Sequence, residues 1–325
     1  MTWQRWAWAI ALAVAGFGAA AWLVMGERAA RHGSAQPGMV WVPAGNFDFG
    51  ATVYPEEMPV RRTRVAGFWI DRTEVTNDDF GAFVKATGYV TVAERAVDTA
   101  QHPGLSYTLR QPGAVVFVMP NDVRVGGDGT QWWRNTPGAN WRHPGGPDSS
   151  IAGQGAFPVV TVTAEDALAY ARWKGRALPT EAQWEWAARA ARSAPMPSPE
   201  QPQQANTRQG LFPVMNSGDD GFVGLAPVGC YEPNALGLFD MIGNVWELTA
   251  DAWTPQHAAG DNVPPDQVPA RLRRASATQQ VIKGGSFLCA PSRCMRYRAG
   301  ARQPRDQDLG ASHLRFRTIL IAAGP

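Results

Sequence analysis

Three short segments of this 325-residue chain carry the signature of a helix start, and the stretches between them are far longer than ordinary loops. VTNDDFGAFVKATG places Thr76 as a cap with Asp79 three residues on and Gly88 where a helix stops. VTAEDALAYARWKG pairs Thr163 with Asp166, and LPTEAQWEWAARA pairs Thr180 with Gln183. MVWVPAGNFDFG alternates apolar and polar residues around glycines, as a strand pair does, and FWID reads as a further strand. Residues 96–150, 193–204 and 254–280 carry no such periodicity and are rich in Gly, Pro and polar residues. Loops that long inside one domain are functional or held by something other than secondary structure, metal ions among the candidates. Gly (34) and Pro (26) make up about 18% of the chain, against about 12% in an average protein. With 45% hydrophobic residues there is still material for a large core. The expectation is one α+β domain with few, short regular elements.

The N-terminus is of another kind. Trp6 to Met25 is an uncharged run of 20 residues with tryptophans near both ends. As a helix it would reach about 30 Å, the thickness of a bilayer's hydrocarbon core. Residues 1–26 are therefore read as a signal anchor, with a cleaved signal peptide as the alternative. Residues 27–38 are read as a linker and 39–325 as the exported domain, tethered to the membrane through the N-terminal helix alone. Thirty basic against 28 acidic residues leave +2, with no basic stripe, which argues against a nucleic-acid partner.

Three cysteines are present, Cys230, Cys289 and Cys294. The C-x4-C spacing fits neither common zinc patterns nor a thioredoxin-like C-x-x-C. It leaves a disulfide, ordinary thiols, or a redox or metal pair open. If a metal is held by two thiolates with no other strong ligand, Cu(I) suits better than zinc. The five histidines form no H-x-H or H-E-x-x-H arrangement, and no P-loop, dinucleotide-binding glycine pattern or G-x-S-x-G occurs.

Six blocks in order carry a resemblance. They are MVWVPAGNFDFG, FWIDRTEVTNDDFGAFVKATGYVTVAE, PGANWRHPGGPDSS, FPVVTVTAEDALAYARWKGRALPTEAQWEWAARA, GLFDMIGNVWELTAD and GGSFLCAPSRCMRYRAGARQPRDQDLGASHLRFRT. From about Met39 to the C-terminus the chain resembles the formylglycine-generating enzyme, or sulfatase-modifying factor, family. The G-G-S-F-L-C-x4-C block separates the oxidases from relatives that lack the cysteine pair. The resemblance implies a C-type-lectin-like α+β fold and a copper-dependent, O2-using oxidase. Such an oxidase converts the cysteine of a sulfatase C-x-P-x-R segment to formylglycine. Cys289 and Cys294 match the Cu(I) ligands, Ser286 a hydrogen-bonding serine beside them, and Trp246 a wall of the pocket. Arg302 matches an arginine of the substrate groove, and His313 stands there in place of an asparagine. Two structural Ca2+ sites are implied as well. Asn206, Asp220 and the Thr207 and Phe222 carbonyls would form one. Asp240, Glu247 and the Gly243 and Val245 carbonyls would form the other. Ala290 and Ala299 replace a histidine and a cysteine found in some members. Cys230 has no place in the motif and is read as a buried structural thiol. A non-catalytic binding protein with Cys289 and Cys294 tied as a disulfide is the rival reading. An iron-dependent relative of the ergothioneine-synthase type would need a histidine cluster that this chain lacks.

Overall fold

The computed structural model describes residues 36–97, 104, 106–121, 131–190, 205–257 and 279–321. The apolar run at 6–25 lies outside them. Among the described residues no helix is long and apolar enough to cross a membrane.

The three helix starts are where the caps place them. Helix α1 spans Asn77–Thr87, with the Thr76 hydroxyl accepting from the Asp79 N–H and Gly88 closing it at φ 67°. Helices α2 (Ala164–Trp173) and α3 (Glu181–Ala188) begin with full capping boxes, from Thr163 with Asp166 and from Thr180 with Gln183. In each box two of the backbone N–H groups that a helix start leaves unpaired are satisfied within one turn. Strands β1 (Met39–Val42) and β2 (Gly45–Phe49) exist, yet they do not pair with each other as expected. β1 pairs with β4 (Phe68–Asp71), and β2 pairs with β3 (Arg61–Val65). The connection is a corner between two sheets, because Gly45 packs against the Trp186 ring so closely that any Cβ would collide with it. Part of the stretch read as irregular is ordered too: β5 (Gly113–Phe117) and β6 (Trp133–Pro137) form an antiparallel pair.

A four-stranded sheet organises the C-terminal half. It runs β10 (Leu314–Arg315), β7 (Trp246–Ala252), β8 (Gln279–Lys283), β9 (Gln303–Asp306), with β10 and β7 parallel and the other pairings antiparallel. A short β11 (Ile319–Leu320) returns to β4. β7 is buried along almost its whole length. One apolar cluster packs Trp246, Leu248 and Ile282 of this sheet against Phe80, Phe83, Tyr170 and Phe316. A second gathers Phe47, Phe49, Phe68, Trp184 and Trp186. The observed α+β architecture, with small sheets and three short α-helices among long turns in the described residues, is the one expected.

Candidate active site

The register of the four-stranded sheet brings the motif residues together at one of its ends. Glu247 of β7 faces Lys283 of β8, Ile282 faces Gln303 of β9, and Leu314 faces Trp246. The start of β7, the exit from β8, the start of β9 and the entry to β10 therefore lie side by side. Trp246, Ser286, Cys289, Gln303 and His313 stand at that end, and all five line one cavity of about 170 Å3. The exit from β8 is Gly284-Gly285, at φ 91° and 77°, where a side chain would be strained. A Cβ on Gly285 would also lie 3.0 Å from the Tyr297 Cα. Glycine is thus required for the chain to turn directly into Ser286.

Cys289 and Cys294 are both free, and their sulfurs are 2.7 Å apart. The four residues between them close on themselves, with Ala290 and Arg293 exchanging two backbone hydrogen bonds of 2.9 and 3.0 Å. Cys294 takes a left-handed backbone, φ 64°, to bring its sulfur round. Cys289 is buried and Cys294 partly so. Burial, with the Cys294 sulfur alongside, pushes the Cys289 thiol up. Cys294 is pulled down, chiefly by the hydrogen bond from Cys289, with Arg296 adding to it. The pair therefore reaches its first negative charge at Cys294, with the Cys289 S–H donating to it. Two converging sulfurs, both on the wall of a cavity, suit a soft ion of low coordination number. The donor set and its placement fit Cu(I).

Part of the cavity wall comes from outside the motif blocks. Trp132, Trp133 and Phe212 line it together with Leu288 and Arg293. Trp133 follows directly on the Gly-rich stretch and packs its ring 4.6 Å from that of His313. His313 is 8% exposed and its Nδ1 has no hydrogen-bond partner. Burial, reinforced by the Arg305 charge, pushes its pKa down to about 3, so the ring is neutral in ordinary conditions. These aromatic residues carried no motif. Their one sequence signal is aromatic side chains in segments otherwise built of Gly, Pro and Asn.

Arg302 is not in the cavity. It is 1% exposed. Its Nε lies 3.0 Å from Glu181, and its Nη1 donates to the Glu56 and Thr254 carbonyls. Its neighbour Gln303 is the residue that faces the cavity, since successive strand residues point to opposite sides. Arg302 instead joins a buried charge cluster beneath the site that sequence reasoning missed. Lys283 Nζ stands 3.3 Å from Glu181 and 3.1 Å from Glu185, and His257 Nε2 is 3.3 Å from Glu181. Burial alone would raise the Glu181 carboxyl, but Lys283, Arg302 and His257 together hold it well below the usual range. The cluster ties α3 to the last residue of β8, directly before the Gly284-Gly285 turn into Ser286.

The first candidate calcium group fits a hard cation. Thr207 N–H donates to Asp220 at 2.8 Å and Phe222 N–H to the same carboxylate at 3.2 Å, so the segments are already joined. Asn206 is fully buried, yet its Oδ1 has no partner. A buried carbonyl oxygen without a donor is an unfilled demand that a cation meets. The second group does not fit. Glu247 is 1% exposed, and Arg317 reaches both its oxygens at 2.6 Å while Trp184 Nε1 donates at 2.8 Å. Asp240 accepts from the Gly229 N–H at 2.6 Å, and burial raises its pKa. With the Glu247 carboxylate already neutralised by a guanidinium, Asp240 is the one carboxylate left beside the Gly243 and Val245 carbonyls, and neither acid has an oxygen buried without a donor as Asn206 does. Cys230, expected to be buried, is an exposed thiol.

Comparison with known proteins matches residues 26–322 to the family described as sulfatase-modifying factor enzyme 1-like domain. The formylglycine-generating enzyme of Mycobacterium tuberculosis is 46% identical over 86% of this chain and 97% of its own. A mouse protein named inactive C-alpha-formylglycine-generating enzyme 2 is 34% identical over 94% of this chain and 92% of its own. Among solved structures, PvdO from Pseudomonas aeruginosa aligns with a TM-score of 0.57 at 23% identity, covering 88% of this chain and 99% of that one. That last likeness speaks to the fold.

Proposed function

The chain belongs to the sulfatase-modifying factor family, and from that premise we propose that it is a formylglycine-generating enzyme. It would act on the cysteine of a C-x-P-x-R segment in a sulfatase polypeptide, with Cys289 and Cys294 holding Cu(I) and O2 as the oxidant. The observation that carries this reading is the pair of free sulfurs, 2.7 Å apart, at the wall of an aromatic cavity.

When bound there, Cu(I) supplies the one-electron chemistry with O2 that no protein side chain offers. The chain's own residues do the rest. Cys294 gives up its proton first and Cys289 second, since the ligand form of each is the thiolate. The Ser286 hydroxyl and backbone favour the Cys289 thiolate. Trp246, 2% exposed, closes one side of the cavity, while Trp133 and Phe212 close others, so that little water reaches the sulfurs. His313 stays neutral and offers its ring nitrogens to the substrate as hydrogen-bonding groups without adding charge. Ca2+ at Asn206, Thr207, Asp220 and Phe222 would fix the strap whose next residue, Arg208, donates its N–H to the Cys289 carbonyl at 2.9 Å. The apolar run at 6–25 supports export, with the catalytic domain held on the outer side of a membrane.

The test is mass spectrometry of a C-x-P-x-R peptide incubated with the reduced full chain, Cu(I) and O2. The expected product is the aldehyde at the peptide cysteine, lost in both Cys289→Ser and Cys294→Ser. No conversion by a chain that binds no Cu(I) would place it with the inactive relatives instead.

A further inference from the structure

The side chain of one charged residue of the cavity has been given no role above. Arg293 lines the cavity and is exposed, and its guanidinium carbon lies 5.2 Å from the Trp132 ring centre and 5.4 Å from that of Phe212. Stacking of this kind uses the face of the guanidinium and leaves its N–H edges free. Among the described residues none of those N–H groups has an acceptor, and no carboxylate pairs with them. Arg208 sits 5.3 Å from the same Phe212 ring, with its own donors spent on the Met215 and Pro213 carbonyls. Among the described residues no Asp or Glu lines the cavity.

The side chain is also well placed. The two backbone hydrogen bonds between Ala290 and Arg293 fix the turn that carries it. Its Cα is one residue from that of Cys294, about 3.8 Å away. An exposed, immobilised guanidinium with free edges is a ready acceptor site for a planar anion, bound through two parallel hydrogen bonds. Asymmetry of charge around the cavity then favours one sign of substrate over the other.

We propose that Arg293 forms an anion subsite that takes the carboxylate of an acidic side chain in the substrate segment, one or two residues from the target cysteine. The distance follows from the geometry. An extended peptide advances about 3.3–3.6 Å per residue, so a residue one or two places from a cysteine seated at Cys289 and Cys294 comes within reach of Arg293. The proposal rests on the formylglycine-generating reading for its substrate, and adds the rule by which this chain chooses among C-x-P-x-R segments.

The experiment uses the full chain, reduced and copper-loaded, with C-x-P-x-R peptides bearing Glu, Gln or Lys at the two positions before the cysteine and the one after it. At one of these positions KM for the Glu peptide should be about fivefold below that for the Lys peptide, the size of an exposed charge pair. The ratio should fall to one in Arg293→Gln and invert in Arg293→Glu, with thermal unfolding confirming that both variants fold. A Glu-to-Lys ratio that is unchanged in Arg293→Gln, or absent from the wild type, overturns the proposal. The same peptides with serine for cysteine, followed by quenching of tryptophan fluorescence, read the preference without turnover. A charge preference in binding with no conversion of any cysteine peptide would sink the enzymatic reading and leave the subsite standing.

Discussion

At the scale of single residues, apart from the exposed Arg293, the site sets uncharged groups beside charges that are paired out of sight. His313 is the clearest case, an imidazole closed in by Trp133 and left without a partner on Nδ1. Its pKa falls to about 3 when folded, against an ordinary 6.5. Between those values the unfolded chain binds a proton that the folded chain does not, so stability rises with pH across the window. Comparing a His313 variant with the wild type over pH 6.5 to 4.5 isolates this linkage, because the other titrating groups are common to both proteins. His313→Asn is therefore expected to lose less stability than the wild type as pH falls from 6.5 to 4.5. Urea unfolding at the two pH values measures this, and equal losses in both proteins would show that the burial of His313 carries no proton linkage. The sequence made His313 visible as a departure from a family pattern, but not its lack of a partner, which depends on Trp133 arriving from a distant strand.

At the scale of elements, the helices are specified locally and used globally. α3 is only eight residues long, too short to persist alone, so its cap and its packing both matter. The Thr180 hydroxyl accepts from the Gln183 N–H, and the Gln183 side chain accepts from the Thr180 N–H at 2.9 Å. Thr180→Ala should cost about 1 kcal/mol of stability in denaturant unfolding. The same helix delivers Glu181 and Glu185 to Lys283 at the end of β8. Its hydrogen-bonding role was legible from T-x-x-Q, whereas its pairing with Lys283 was not, because about a hundred residues separate them. The strand pair expected of MVWVPAGNFDFG failed for a related reason. Alternation identifies strands but is silent on partners, and here Trp186 fills the corner where a hairpin would need room.

At the scale of the whole molecule, the short helices and small sheets of the described residues leave long turns to be held by buried polar groups and, on the proposed reading, by one calcium ion. The fit of Asn206 and Asp220, and the misfit of Glu247, predict a stoichiometry of one Ca2+ per chain. Metal analysis after dialysis should find it, Asp220→Ala should abolish it, and chelation should lower the melting temperature. Glu247→Gln should leave calcium in place while destabilising the chain by about 3–5 kcal/mol, because the Arg317 guanidinium is left buried with half its partner. Two ions per chain, one of them lost in Glu247→Gln, would overturn this assignment. The sequence by itself determined the helix starts, the α+β class and the family, since each rests on short spacings whose chemistry is local, while the C-x4-C spacing left the state of the two sulfurs open. Only the tertiary structure decided that Arg302 serves a buried ion cluster, that Glu247 answers Arg317, and that Trp132, Trp133 and Phe212 wall the cavity. Those outcomes depend on which distant segments share a sheet end, and one residue of strand register is enough to turn a side chain from the cavity into the core.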